Sequence, residues 1–132
     1  MSYRIRWEGH GIYERFFGIL TEEDYATSHN DMCSDIRFAS VRYVIADCLE
    51  VQPAAEVGDA ATAKQAQMAR LEYFSTPDVI YAVVAIDEHV RRQASYFKAL
   101  MRSLYPVGVF STVAEARAWI AANPRRNHDV KQ

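Results

Sequence analysis

Cysteine is scarce in this chain, with only Cys33 and Cys48 among 132 residues. The two have no C-x-x-C spacing and no disulfide pattern around them, which excludes a stapled secreted scaffold and a redox dithiol. They read as two thiols in a reducing compartment. Long apolar runs are also missing. The longest, around Val79 to Ile86, falls far short of the roughly 20 residues that cross a bilayer. The opening Met1-Ser2-Tyr3-Arg4-Ile5-Arg6 contains no signal-peptide core. A cytoplasmic protein without an integral membrane segment is expected.

Charge of one sign is lacking too. Lysine and arginine number 15 against 17 aspartates and glutamates, a net charge of −2, so no overall field attracts nucleic acid. No G-x-S-x-G elbow, P-loop, H-E-x-x-H or dinucleotide fingerprint occurs. An enzyme is therefore not expected, nor a cofactor. His10, His29, His89 and His128 show none of the converging spacings that metal ligands need, so no metal site is expected.

Half of the residues are hydrophobic, enough for one domain with a real core. That domain spans 1–124, with 125–132 as a polar, basic tail. Tyr3 to Glu8 alternates and reaches the turn Gly9-His10-Gly11; Ile12 to Leu20 follows as a second strand, making an antiparallel hairpin. Thr21-Glu22-Glu23-Asp24 opens a helix as an N-cap with acids in the first turn, and Tyr25, Met32 and Ile36 give it an apolar face. The strand Val41 to Leu49 precedes a loop, 50–58, and an alanine-rich helix from Asp59 to about Phe74. Next come the strand Val79 to Ile86 and a helix Glu88 to Tyr105, capped by Asp87, with an inner face of Val90, Ala94, Phe97, Met101 and Leu104. Val107 to Phe110 is the last strand, and Thr112 to Glu115 forms a capping box for a final helix carrying Ala116, Trp119 and Ile120. The order β-β-α-β-α-β-α-β-α specifies an α/β fold. Its sheet is mixed and mostly parallel, with an N-terminal antiparallel hairpin and helices packed on it.

Three stretches carry a family resemblance: Phe17-Gly18-Ile19-Leu20-Thr21 entering its helix, the central strand Tyr43-Val44-Ile45-Ala46-Asp47, and Val109-Phe110-Ser111-Thr112 running through Glu115-Ala116 to Trp119-Ile120. With these, residues 3–121 resemble a STAS-type domain, more narrowly the SpoIIAA-like bacterial group. The resemblance implies a non-catalytic switch or docking module, in which a serine or threonine opening the helix after the central strand accepts phosphate and changes the charge of a partner surface. The corresponding stretch here, Val51 to Ala60, has no hydroxyl until Thr62. Glu56 and Asp59 stand where the phosphoacceptor would be, so Glu56, Gly58, Asp59 and Thr62 form the candidate switch loop.

Asp47 and Asp87 end the two central strands, and Cys48 and His89 lie beside them. Ligands of open α/β sheets bind beyond the carboxyl ends of strands, which makes these four the candidate ligand site. Helix capping and strand-end ordering explain the same aspartates without any ligand. Arg91, Lys98 and Arg102 share one face of the third helix, a basic stripe that reads either as a solvated face or as an anion-meeting surface. Tyr3, Ile5 and Trp7 alternate onto one side of the hairpin, and with Tyr13 they form a candidate interface for a protein partner or a second copy in a homodimer; the competing reading is that one hairpin face merely covers the core. Two functions stand side by side: a regulatory or protein-interaction module lacking the usual phosphoacceptor, and a binder of a small apolar ligand or lipid in a pocket between sheet and helices.

Overall fold

A computed structural model describes residues 2–53, 58–73 and 78–123. The hairpin forms as its turn chemistry dictates. β1 (Tyr3–Glu8) and β2 (Gly11–Leu20) pair antiparallel, from Tyr3 opposite Phe16 to Glu8 opposite Gly11, with Gly9 supplying a φ of 54° in the turn. β3 (Tyr43–Pro53), β4 (Ile80–Val84) and β5 (Val107–Phe110) then add in parallel, so the sheet order is β1-β2-β3-β4-β5. The mixed, mostly parallel α/β sheet read from the periodicity is the sheet observed.

Alternation divides the sheet into two faces. Ile12, Phe16, Val44, Ala46, Cys48 and Val83 face one way, where α1 (Glu22–Cys33), α2 (Asp59–Tyr73) and α3 (Glu88–Met101) bring Met32, Ala66, Ala69, Val90, Ala94 and Met101 against them. Ile45, Ile80, Ala82 and Val84 face the other way, against Ala116 and Ile120 of α4 (Val113–Ala122). Thr21 and Thr112 both form complete capping boxes, with Asp24 and Glu115 as the reciprocal partners.

Several boundaries differ from the sequence reading; the strand read as Val79 to Ile86, for instance, spans only Ile80–Val84. β3 runs on to Pro53 because the second half of β2 continues to pair with it, Leu20 opposite Pro53, after β4 has ended opposite Asp47. With a neighbour on one side only, that half has no need of an apolar pattern. α1 stops at Cys33, and a 3₁₀ turn, Ile36–Ser40, restarts the chain with Asp35 accepting the N–H of Arg37. The break shifts the helical phase, so Ile36 leaves the apolar face and stands 93% exposed. α3 ends at Met101 rather than Tyr105, although the inner face Val90, Ala94 and Met101 is buried as expected.

Candidate functional site

β3 carries one residue more than β2 between the pairs Arg15–Asp47 and Phe17–Glu50. The N–H of Leu49 at this bulge donates to Asp47 Oδ1 at 3.1 Å, and the hydroxyl of Tyr13 donates to Asp47 Oδ2. Asp47 is therefore a buried residue on the α4 side of the sheet, held by its own strand and by β2. Tyr13 is pushed up to about 12, by burial first and by the Asp47 bond second. Asp87 lies outside the sheet and caps α3, its Oδ1 accepting the N–H of Val90 at 3.0 Å. Replacing it by alanine is expected to cost about 1 kcal/mol, the usual value of an N-cap, read as a shift in the urea midpoint.

Cys48 and His89 belong to a different place. Both line a partly open cavity of about 110 Å³ between β2, β3 and β4 below and α1, α2 and α3 above. Its walls are mainly apolar, among them Phe16, Tyr25, Met32, Val83, Met68 and Phe97. Small residues make the space. Ala46 on the floor and Ala69 and Ala94 on the helices leave room that larger side chains would fill. Burial pushes the Cys48 thiol up to about 12, reinforced by the charges of Glu14 and Asp47, so it is a protonated, apolar group at neutral pH rather than a nucleophile. Tyr25 is shifted upward as well, again chiefly by burial.

The α2 entrance joins this cavity to the candidate switch loop. Thr62 is 3% exposed and lines the cavity; its hydroxyl donates to Gln93 Oε1 at 2.7 Å, while Gln93 Nε2 donates to Asp59 Oδ1 at 3.1 Å. Gln93 thus ties the first turn of α2 to α3. The Thr62 hydroxyl is enclosed and engaged by its neighbours. Gly58 is half-buried just before α2, and Glu56 lies outside the described residues.

The row Tyr3, Ile5 and Trp7 does not stand outward. Tyr3 is buried and bonds Asp31 of α1, while Ile5 and Trp7 are half-buried against the core. α1 covers this side of the hairpin, and Arg37 of the 3₁₀ turn lies over the Trp7 ring at 4.3 Å. Tyr13 points to the opposite face, so the four do not form one surface. In the basic stripe, Arg91 turns back to the carbonyl of Ala85 at 2.6 Å and to the hydroxyl of Ser111 at 3.2 Å.

Several cavity residues escaped the sequence reading, Glu14, Ser28, Gln65 and Gln93 among them. Glu14 is 2% exposed, lines the cavity and accepts the hydroxyl of Ser28 at Oε2. Its signal was the alternation of β2, which puts Glu14 on the same face as Ile12 and Phe16.

Among the described residues, no group of three His, Cys, Asp or Glu is placed to hold a metal ion, and no helix is long and apolar enough to cross a membrane. No family model matches the sequence, and no curated protein matches it. Solved structures do match in shape. The chain has the SpoIIAA-like fold. The anti-sigma factor antagonist SpoIIAA in its unphosphorylated form aligns over 92% of this chain and 100% of its own, with a TM-score of 0.56 and 13% identity. The phosphorylated form of the Bacillus cell fate determinant SpoIIAA aligns over 90% and 99%, with a TM-score of 0.57 and 12% identity. An uncharacterised DUF3478-family protein with a SpoIIAA-like fold from Shewanella loihica PV-4 aligns over 90% and 92%, with a TM-score of 0.57 and 15% identity.

Proposed function

We propose that this chain is a non-catalytic, STAS-like regulatory module that works by holding a small, mainly apolar molecule between its sheet and its helices. The observation that carries this reading is the cavity of about 110 Å³, built by alanines on three elements and walled by aromatic and aliphatic side chains. An apolar cavity of about 150 Å³ in another protein takes up benzene, so a molecule of several heavy atoms is the right scale. A few polar groups among apolar walls are the usual composition of a binding pocket. The absence of catalysis is supported by the state of the candidate groups: the Cys48 thiol is held protonated, and Asp47 and Asp87 are engaged in a strand bulge and a helix cap. The enclosed Thr62 supports a switch that does not run through phosphorylation.

A second reading, docking to a protein partner or to another copy of the chain, is favoured by β1, which is an edge strand of the sheet. The likeness to an anti-sigma factor antagonist supports it at the level of fold.

Native mass spectrometry of the protein from its own host tests both. Bound ligand is expected as mass above the 15.1 kDa chain. Ala46→Leu should remove that excess by filling the floor of the cavity, at a stability cost below about 1 kcal/mol because the added carbons enter empty space. A ligand-free dimer would replace the first reading by the second.

A further inference from the structure

The cavity uses one face of the sheet. On the other face α4 packs against β3, β4 and β5, while the part on β1 and β2 stands open. There Arg6, Arg15 and Arg117 keep 65%, 43% and 41% of their side chains exposed, and Arg4 is exposed as well. Register puts Arg4 directly opposite Arg15 and Arg6 directly opposite Tyr13. Alternation sends these four to the open face, away from Tyr3, Ile5 and Trp7. The guanidiniums lie over aromatic rings. Arg6 is 4.7 Å and Arg117 5.9 Å from the Tyr13 centroid, and Arg15 is 5.5 Å from that of Phe17. Arg6 and Arg117 share Glu8, and Arg15 pairs with Glu50; Arg4 pairs with no carboxylate among the described residues.

Folding alone gives no reason for Arg4, because like charges directly opposite on paired strands weaken the pairing. We infer that this face docks an acidic segment of a partner protein. Its carboxylates meet Arg4 and the N–H donors that the ion pairs of Arg6 and Arg15 leave over. Ile19, 63% exposed farther along β2, adds an apolar contact. Arginine and aromatic residues are enriched at protein interfaces, and guanidiniums stacked on rings are ordered before the partner arrives. Other occupants fit less well. Single-stranded nucleic acid stacks its bases on bare aromatic faces, whereas guanidiniums lie on these, and its phosphates would also meet Glu8 and Glu50. A second copy presenting the same face would set arginine against arginine. The inference rests on the docking reading, for which it names the surface and the partner's chemistry, and is independent of the ligand-binding one.

Fluorescence anisotropy with a short fluorescein-labelled peptide of glutamate, glycine and leucine tests it, beside the glutamine counterpart, labelled oligothymidylate and phosphatidylglycerol vesicles. The glutamate peptide is expected to bind, more weakly as sodium chloride is added, and the glutamine peptide not to bind. Arg4→Glu is expected to weaken binding about tenfold, the loss of one charge-assisted contact. Arg102→Glu, the same change of net charge at an exposed residue ending α3, is expected to leave it unchanged. Arg4→Glu is also expected to raise the urea midpoint, since it sets a carboxylate opposite Arg15. Opposite movements of stability and binding are what a residue kept for docking produces. Equal weakening by the two variants would reveal a diffuse charge effect and overturn this surface while the docking reading survived. A lowered midpoint would show that Arg4 is there for the fold and would overturn it as well. Absence of peptide binding, or stronger binding of oligothymidylate or vesicles, would overturn the acidic-segment assignment.

Discussion

Gly11→Ala is expected to destabilise the fold by about 3 kcal/mol, at the upper end of what overpacking a core costs. Gly11 opens β2 in register with Tyr43 of β3, and the Tyr43 ring lies directly over it. A β-carbon built on Gly11 falls within that ring, overlapping its Cζ and both Cε atoms. The overlap is with the body of a ring on a paired strand, so relief means swinging the whole side chain away. That movement also breaks the bond from the Tyr43 hydroxyl to Glu8 Oε1, which is 2.8 Å long. Gly9→Ala, two residues earlier, serves as the control. Its β-carbon meets nothing within 4 Å, and only the positive φ of 54° resists it, at about 1 kcal/mol. Urea denaturation of both variants reads the difference. Adding Tyr43→Ala to Gly11→Ala should cost less than the sum of the two changes, since the second removes the ring that the first strikes. Equal losses for Gly9→Ala and Gly11→Ala would sink the close-packing account.

The elements that were legible in the sequence are those whose cause is local. Thr21, Asp87 and Thr112 cap helices through bonds three residues away, so a short window contains the whole interaction. The strands around Ile45 and Ala82 are buried on both faces, and their unbroken apolar runs say so. The cavity was legible only as a possibility, because an alanine-rich helix specifies close approach or empty space equally well. Residues of other elements decide which, Ala46 and Val83 on the sheet among them. Glu14 was readable from alternation, but a lone acid within an apolar stripe is conspicuous only once β2 is fixed in register. Of the two readings of the hairpin row, the core-covering one describes Tyr3, Ile5 and Trp7. Alternation places Tyr3, Ile5 and Trp7 together, yet says nothing of which face the following helix will cover.

No sequence window could show the contact between Glu8 and Arg117, which joins the first strand to the last helix across 109 positions. Arg117 grips the carboxylate with two bonds, Nη1 to Oε1 at 3.0 Å and Nη2 to Oε2 at 2.9 Å, and Arg6 and the Tyr43 hydroxyl donate to the same group. The Arg117 bonds, followed by those of Arg6 and Tyr43, hold Glu8 down to about 2 from an ordinary 4.5. A carboxyl depressed in the folded state adds stability that is complete above the unfolded value. It is lost as pH falls from about 4.5 through about 2. The full gap corresponds to roughly 3 kcal/mol, and the half-exposed arginine partners leave about 2 kcal/mol after solvent screening. Glu8→Gln should therefore lose about 2 kcal/mol at neutral pH, and its deficit against the unaltered protein should shrink steadily on acidification. Subtracting one urea curve from the other at each pH cancels the remaining carboxylates, including Asp35, which Arg37 holds down independently. Arg117→Met should reproduce both the loss and its disappearance in acid, because it removes the cation that contributes most. A deficit that stayed constant down to the acid limit would mean that Glu8 acts by packing alone, and that α4 is held to the hairpin by shape rather than by charge.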